Sequence, residues 1–235
     1  GLATRLQPIS SYIPKAGLPF FHQPLLHHNL DLLKDADIED IAVNTHHLSD
    51  KLEAILKDYT QTSGSLHLSD ESEELMGGAG GIKKISSWTA GSHLLACNAD
   101  VICDFDVDAL LDFHFKKQAV ATMALTTKPH PQESAIWCQE QKIVSIEQGC
   151  SEKNATAHGF ACIQVLSPEF ISYCKDLGYK NIMAVYRYLL KKKAPLYALT
   201  QDCFFADLGS PQRYWQAHMN VFSELETSNN PRGAL

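Results

Sequence analysis

Between residues 24 and 126 the sequence switches repeatedly between helical spacing and short apolar runs, and this alternation limits the folds open to it. Residues 24–37 place Leu25, Leu26, Leu30, Leu33 and Ala36 on one helical face. Ile41-Ala42-Val43 reads as a short buried strand. Ser49 is expected to cap a second helix whose inner face carries Leu52, Ile55, Leu56 and Tyr59. Residues 65–69 read as a strand, and Met76-Gly77-Gly78-Ala79-Gly80-Gly81-Ile82 as a glycine-rich turn opening into a short helix through Ser86. A strand over 93–97, a helix over 107–117 and a strand over 119–126 follow. The alternation predicts an α/β fold with a mostly parallel, mixed sheet covered by helices on both faces. Such sheets bind ligands beyond the carboxyl ends of their strands. The first loop, the glycine run and Asp100 are all expected there.

The second half changes character. Residues 135–138 and 143–146 alternate as a hairpin, and residues 160–166 and 196–199 read as strands. Ser167-Pro168 and Ser210-Pro211 each pair an N-cap hydroxyl with proline at the first helical position. A helix is expected over 181–193, and Asp207-Leu208-Gly209 stands just before the last one. With 235 residues, a single domain over 1–226 and a frayed tail over 227–235 are expected.

A formal charge of -7 argues against a nucleic-acid or anionic-membrane surface. No apolar run is long enough to span a bilayer, and no signal peptide is visible. Seven cysteines without a C-x-x-C pair point to free thiols in a reducing cytoplasm. The adjacent pairs His27-His28 and His46-His47 lack metal-ligand spacing, which argues against a structural zinc site.

Against that acidic background, cations gather at the front. Gly1 and Ala3 leave room for a backbone to approach a ligand, Arg5 can fork onto phosphate oxygens, and Lys15 adds a point charge after Pro14. Spacing alone leaves two readings open, a cradle for a triphosphate or a surface loop with scattered basic residues. The absence of Gly-Lys-Ser/Thr excludes an ordinary P-loop. Asp100, after an apolar strand, suits a metal ligand or a turn cap.

Gly1-Leu2-Ala3-Thr4-Arg5-Leu6-Gln7-Pro8, followed by Pro14-Lys15-Ala16, resembles the signature G-x-G-T-R-x-x-P and P-K-P of the sugar-1-phosphate nucleotidyltransferases. Ala3 and Ala16 depart from it. Asn98-Ala99-Asp100 resembles the family's N-G-D segment. Asp207-Leu208-Gly209-Ser210-Pro211 resembles D-[IV]-G-T-P, and the run from Met76 to Ile82 resembles L-G-T-A-G-A-I with Gly78 in place of Thr. Length and motif set are similar to the N-acetylmuramate-1-phosphate uridylyltransferase and mannose-1-phosphate guanylyltransferase type. The resemblance implies a Rossmann-like GT-A nucleotidyltransferase fold. In that family an apolar strand leads into the first glycine; this sequence begins at that glycine, so the strand is expected to be missing.

The resemblance also implies roles. Arg5 and Lys15 would be catalytic cations, and Asp100 and Asp207 would hold Mg²⁺. Gly1, Leu2, Ala3, Thr4, Met76, Gly77, Gly78, Gly80 and Asn98 would bind the nucleotide. Residues 1–127 would form the nucleotide half, and 128–226 the sugar-phosphate half. The F-x-E-K-P stretch has become Ile146-Glu147-Gln148-Gly149, so only Glu147 is carried over toward the sugar phosphate. His158-Gly159-Phe160-Ala161-Cys162-Ile163 resembles the later F-x-G-I strand, with Ala161 and Cys162 off the pattern. The implied reaction condenses an NTP with a sugar 1-phosphate, releasing pyrophosphate. Two alternatives stand beside it. One is a GT-A glycosyltransferase using Asp104-Phe105-Asp106 as a D-x-D metal motif, and the other is a degenerate module that senses nucleotides without catalysis. The base, the sugar and the oligomeric state are not specified.

Overall fold

The structure is a computed structural model that describes residues 3–59, 64–89, 91–129, 135–178 and 180–227, with side chains through residue 223. Gly1, Leu2 and the tail from 228 lie outside the described residues. The chain divides into two interleaved compact units. One comprises Gly1–Ser72, Ala99–Cys103 and Phe204–Leu235, and the other Glu73–Asn98 and Asp104–Cys203.

Three 3-10 turns, Thr4–Leu6, Ile9–Ser11 and Lys15–Gly17, carry the first segment into the hairpin β1 (Pro19–Phe20) and β2 (Gln23–Pro24). Helix α1 (Leu25–Asp35) buries Leu25, Leu26, Leu30 and Leu33, the face its spacing predicts. Asn29 is buried on that face because its amide donates to the carbonyls of Leu25 and Val101, at 2.9 and 3.0 Å. Strand β3 (Ile41–Thr45), helix α2 (Ser49–Asp58) and strand β4 (Leu66–Asp70) follow, and β3 and β4 pair in parallel. Parallel neighbours need a crossover, which α2 supplies. The start of α2 differs from expectation. Ser49 is its first helical residue, and the cap is Leu48, at φ +55°, whose carbonyl accepts from the N–H groups of Lys51 and Leu52. The left-handed turn directs the chain into the helix without a side-chain cap.

The glycine run also differs. From Gly77 on, the residues expected as a turn are already helical, while the short helix expected through Ser86 is present as α3 (Gly77–Ile85), C-capped by Ser86. Gly77 has φ +68°, and a Cβ there would lie 2.7 Å from the Lys180 carbonyl oxygen, which accepts from the Ala79 N–H at 3.0 Å. A Cβ on Gly78 would touch Ile182 at 3.4 Å. The absence of side chains there admits the Lys180 main chain and the Ile182 side chain.

Next come β5 (Leu94–Cys97), β6 (Val101–Cys103), α4 (Val107–Lys117), β7 (Ala121–Thr126), β8 (Ile136–Gln139), β9 (Lys142–Ser145) and β10 (Thr156–Leu166). They are followed by α5 (Pro168–Asp176), α6 (Ile182–Lys191), β11 (Leu196–Gln201), β12 (Phe205–Asp207) and α7 (Pro211–Thr227). Asp106 caps α4, its Oδ1 accepting from the Ala109 N–H at 2.8 Å. The second carboxylate of the D-x-D tripeptide is thus a helix cap, which removes support for the glycosyltransferase alternative.

In the second unit the strands run β5-β10-β7-β11-β9-β8, with β8 also pairing with β10. The class is α/β with mixed sheets, as expected, but the sheets are not mostly parallel. Among the described residues only β3–β4 and β7–β11 pair in parallel. The long strand β10 runs antiparallel to β5, β7 and β8, and the short β8–β9 connection imposes another antiparallel pair. The core of this unit holds Met123, Leu125, Ile143, Phe170, Tyr186 and Leu189, with the rings of Phe170 and Tyr186 4.8 Å apart. Leu6, Leu18, Phe20, Leu25, Ile102 and Leu208 form the core of the first. Among the described residues no helix is long and apolar enough to cross a membrane.

His114 of α4 is fully buried between His93, whose Nδ1 lies 2.9 Å from its Nε2, and the Thr122 hydroxyl at 2.8 Å. Burial pushes its pKa down to about 4, with His93 adding to the effect. The folded state therefore keeps the ring neutral while the unfolded chain takes up a proton below about 6.5. Stability falls as pH drops from about 6.5 toward 4, by roughly 2–3 kcal/mol from this group. Urea titrations at pH 7 and 4.5 are expected to show a smaller pH-linked loss in His114→Gln than in the wild type. Equal losses would remove His114 as the cause.

Candidate active site

The antiparallel pair β6–β12 builds the centre of the first unit. Its register sets Asp207 opposite Val101, and the Leu208 N–H donates to the Asp100 carbonyl at 3.4 Å. Two carboxylates remote in sequence thereby stand side by side. Lys15 reaches both. Its Nζ lies 2.6 Å from Asp100 Oδ2 and 3.2 Å from Asp207 Oδ1. The lysine is delivered by Pro14, in extended conformation, and by the 3-10 turn after it. That turn packs closely on α2, since a Cβ on Gly17 would meet Ile55 Cδ1 at 2.4 Å.

A further cation, Arg213, joins the group without a sequence motif that singles it out. Arg213 stands in the first turn of α7, fixed by the Ser210 hydroxyl accepting from its N–H at 3.3 Å, and its Nη1 bonds Asp207 Oδ2. The Ser210-Pro211 cap was the available signal, because it places residue 213 one turn into a helix that starts beside Asp207. Arg5 completes the group. A Cβ on Gly209 would lie 2.9 Å from both Arg5 Nη2 and Asp207 Oδ1, so both side chains crowd over that glycine. Arg5, Lys15, Asp100 and Asp207 are therefore brought together, with Arg213 added.

Electrostatics follow from this packing. Burial alone would push the Asp207 carboxyl up, but the Lys15 ammonium and the Arg213 guanidinium outweigh it and hold the carboxyl below the usual carboxylate value. The Lys15 and Asp207 side chains are 13% and 18% exposed, and Asp100 is more open at 38%. Three cations facing two carboxylates leave a local excess of positive charge, suited to polyanions. Ala3 precedes the group at φ +46°, a left-handed conformation that suits glycine and that costs an L-residue about 1 kcal/mol. Thr4 is exposed and opens the first 3-10 turn.

The other expected site residues belong to the second unit. Met76 precedes α3, with Gly77, Gly78 and Gly80 inside the helix. Asn98 is exposed, and its N–H donates to the Cys162 carbonyl at 3.1 Å. Cys162 lies at a bulge of β10 with φ +61°. Glu147 is paired with Arg187, Nε to Oε1 at 2.7 Å, a partner not foreseen.

For a divalent ion the test is the donor set. Among the described residues no cluster of three or more His, Cys, Asp or Glu is arranged around a metal position. Asp100 and Asp207 nevertheless converge on one cation, the Lys15 ammonium. Two hard carboxylates completed by substrate oxygens and waters fit Mg²⁺.

Residues 1–147 match the Nucleotidyl transferase family. The chain belongs to that family. Its similar relatives include a UTP–glucose-1-phosphate uridylyltransferase of Synechocystis sp., 27% identical over 95% of this chain and 62% of the relative. A mannose-1-phosphate guanyltransferase of Kluyveromyces lactis is 26% identical over 99% of this chain and 66% of the relative. The chain thus spans just under two thirds of these nucleotidyl transferases. In structure it is similar to a Bacillus anthracis protein solved in complex with sucrose, with a TM-score of 0.77 at 20% identity over 94% and 91% of the two chains. That likeness shows a shared Rossmann-like α/β fold.

Proposed function

We propose that this nucleotidyl transferase condenses an NTP with a sugar 1-phosphate to give an NDP-sugar and pyrophosphate, acting in the cytoplasm in nucleotide-sugar biosynthesis. The observation that carries the reading is the convergence of Asp100 and Asp207 on Lys15, with Arg5 and Arg213 beside them. Residues 1–127 would serve the nucleotide and 128–226 the sugar phosphate. Gly1, Leu2, Ala3, Thr4, Met76, Gly77, Gly78, Gly80 and Asn98 would line the nucleotide, and Glu147 the sugar.

The chemistry asks little covalent work of the protein. A sugar phosphate has a second pKa of about 6, so its oxygen is already anionic near neutral pH and needs no general base. That oxygen attacks the α-phosphorus, the α–β anhydride bond breaks, and the electron pair leaves on pyrophosphate. Arg5 and Lys15 would hold the phosphates in line and neutralise the charge that develops on them. Mg²⁺ held by Asp100 and Asp207 would supply further charge neutralisation at the phosphate oxygens. Arg213 keeps Asp207 in place.

Incubation of the protein with each common NTP and a panel of sugar 1-phosphates, glucose and mannose included, is expected to release pyrophosphate for at least one pair. The release should require Mg²⁺. No pyrophosphate from any pair overturns the reading. Tight NTP binding without turnover, unchanged by Asp100→Asn, would favour a sensing module.

A further inference from the structure

One ammonium bonded to Asp100 Oδ2 and Asp207 Oδ1 occupies the position that a cation bridging those two oxygens would take. Lys15 and a divalent ion cannot both sit there, because they would repel at contact distance and compete for the same oxygens. Arg213 is placed differently. It bonds Asp207 Oδ2, whereas Lys15 takes Oδ1, so the arginine need not move when the other oxygen changes partner. Pro14 and the turn packed on α2 hold the lysine backbone, leaving its flexible four-carbon stem to move the charge.

We infer that Lys15 is a placeholder for the metal. It holds the two carboxylates together when no metal is bound, and it is exchanged for the ion when a nucleotide phosphate offers it a replacement anion. Arg213 acts as a positioning residue that keeps Asp207 aligned through the exchange. Metal and nucleotide then favour one another's binding, and the coupling is reciprocal. The protein alone binds the metal weakly, which keeps the ion tied to the presence of nucleotide. This inference rests on the proposed use of Asp100 and Asp207 as metal ligands.

The test is titration of the full chain with Mn²⁺ alone, free ion being read by electron paramagnetic resonance with no nucleotide present. Lys15→Met is expected to tighten Mn²⁺ binding by about tenfold or more relative to the wild type, and adding Asp100→Asn to erase the gain. Arg213→Met is expected to give no gain. If Lys15→Met does not fold, Lys15→Gln, which keeps a donor for the carboxylates, takes its place with the same expectation. An affinity for the Lys15 variant within twofold of the wild type overturns the inference. So does an equal gain in Arg213→Met, which would report net charge alone, or a gain that survives Asp100→Asn. Because the readout involves neither nucleotide nor turnover, its failure is distinct from a failure of the proposed reaction.

Discussion

Asp207→Asn lowers turnover by about 10³-fold at saturating Mg²⁺, the expected cost of losing several kcal/mol of charge stabilisation at the reacting phosphates. Asn keeps the size and one acceptor but removes the charge that gathers Lys15 and Arg213 around one oxygen pair and that would hold the proposed Mg²⁺. The same variant should change the response to acid. In the wild type the carboxyl titrates below its ordinary value, so its contribution to stability is present above the unfolded carboxylate pKa and is lost as pH falls through the folded value. Asp207→Asn should lack that part of the acid response while losing thermal stability at neutral pH. The measurements are kcat under saturating substrates and melting curves at pH 7 and pH 3. A turnover within tenfold of the wild type would remove Asp207 from the machinery.

The second large effect concerns Arg5. Its side chain is exposed, so Arg5→Ala should shift the melting temperature by no more than about 1–2 °C. Turnover should nonetheless fall by about 10²–10³-fold, as expected when one preorganised contact to a developing charge is lost. Gly209→Ala offers an independent approach to the same point, because its methyl would press within 2.9 Å of both Arg5 Nη2 and Asp207 Oδ1. Arg5 can swing away, whereas Asp207 is held by two cations, so the arginine should yield and activity should drop toward that of Arg5→Ala. Pyrophosphate release by the two variants, alone and combined, checks this. A wild-type-like Arg5→Ala places the phosphate elsewhere.

Several expectations were legible because they depend on neighbours in the chain. The apolar face of α1, the Ser167-Pro168 and Ser210-Pro211 helix starts and the β8–β9 hairpin follow from spacing and capping, which act over a few residues. The start of α2 was misread because a left-handed Leu48 does the work assigned to the Ser49 hydroxyl. Gly77 and Gly78 of the glycine run stand against the Lys180 carbonyl and Ile182, neighbours that no local pattern brings to mind.

What could be read directly from the order of residues was therefore the four charged groups Arg5, Lys15, Asp100 and Asp207, the α/β class and the family signature, since each is written in side-chain chemistry or local periodicity. Strand direction within the sheets was not readable there, because β10 chooses its partners by long-range pairing. Nor was the meeting of Lys15 with both carboxylates, which depends on the β6–β12 register, or the capture of Asp207 by Arg213. The meeting arises from main-chain hydrogen bonds between segments far apart in sequence, which carry no trace of which residue will stand opposite which until the chain has packed. The capture joins residues six apart and depends on how α7 leaves the end of β12.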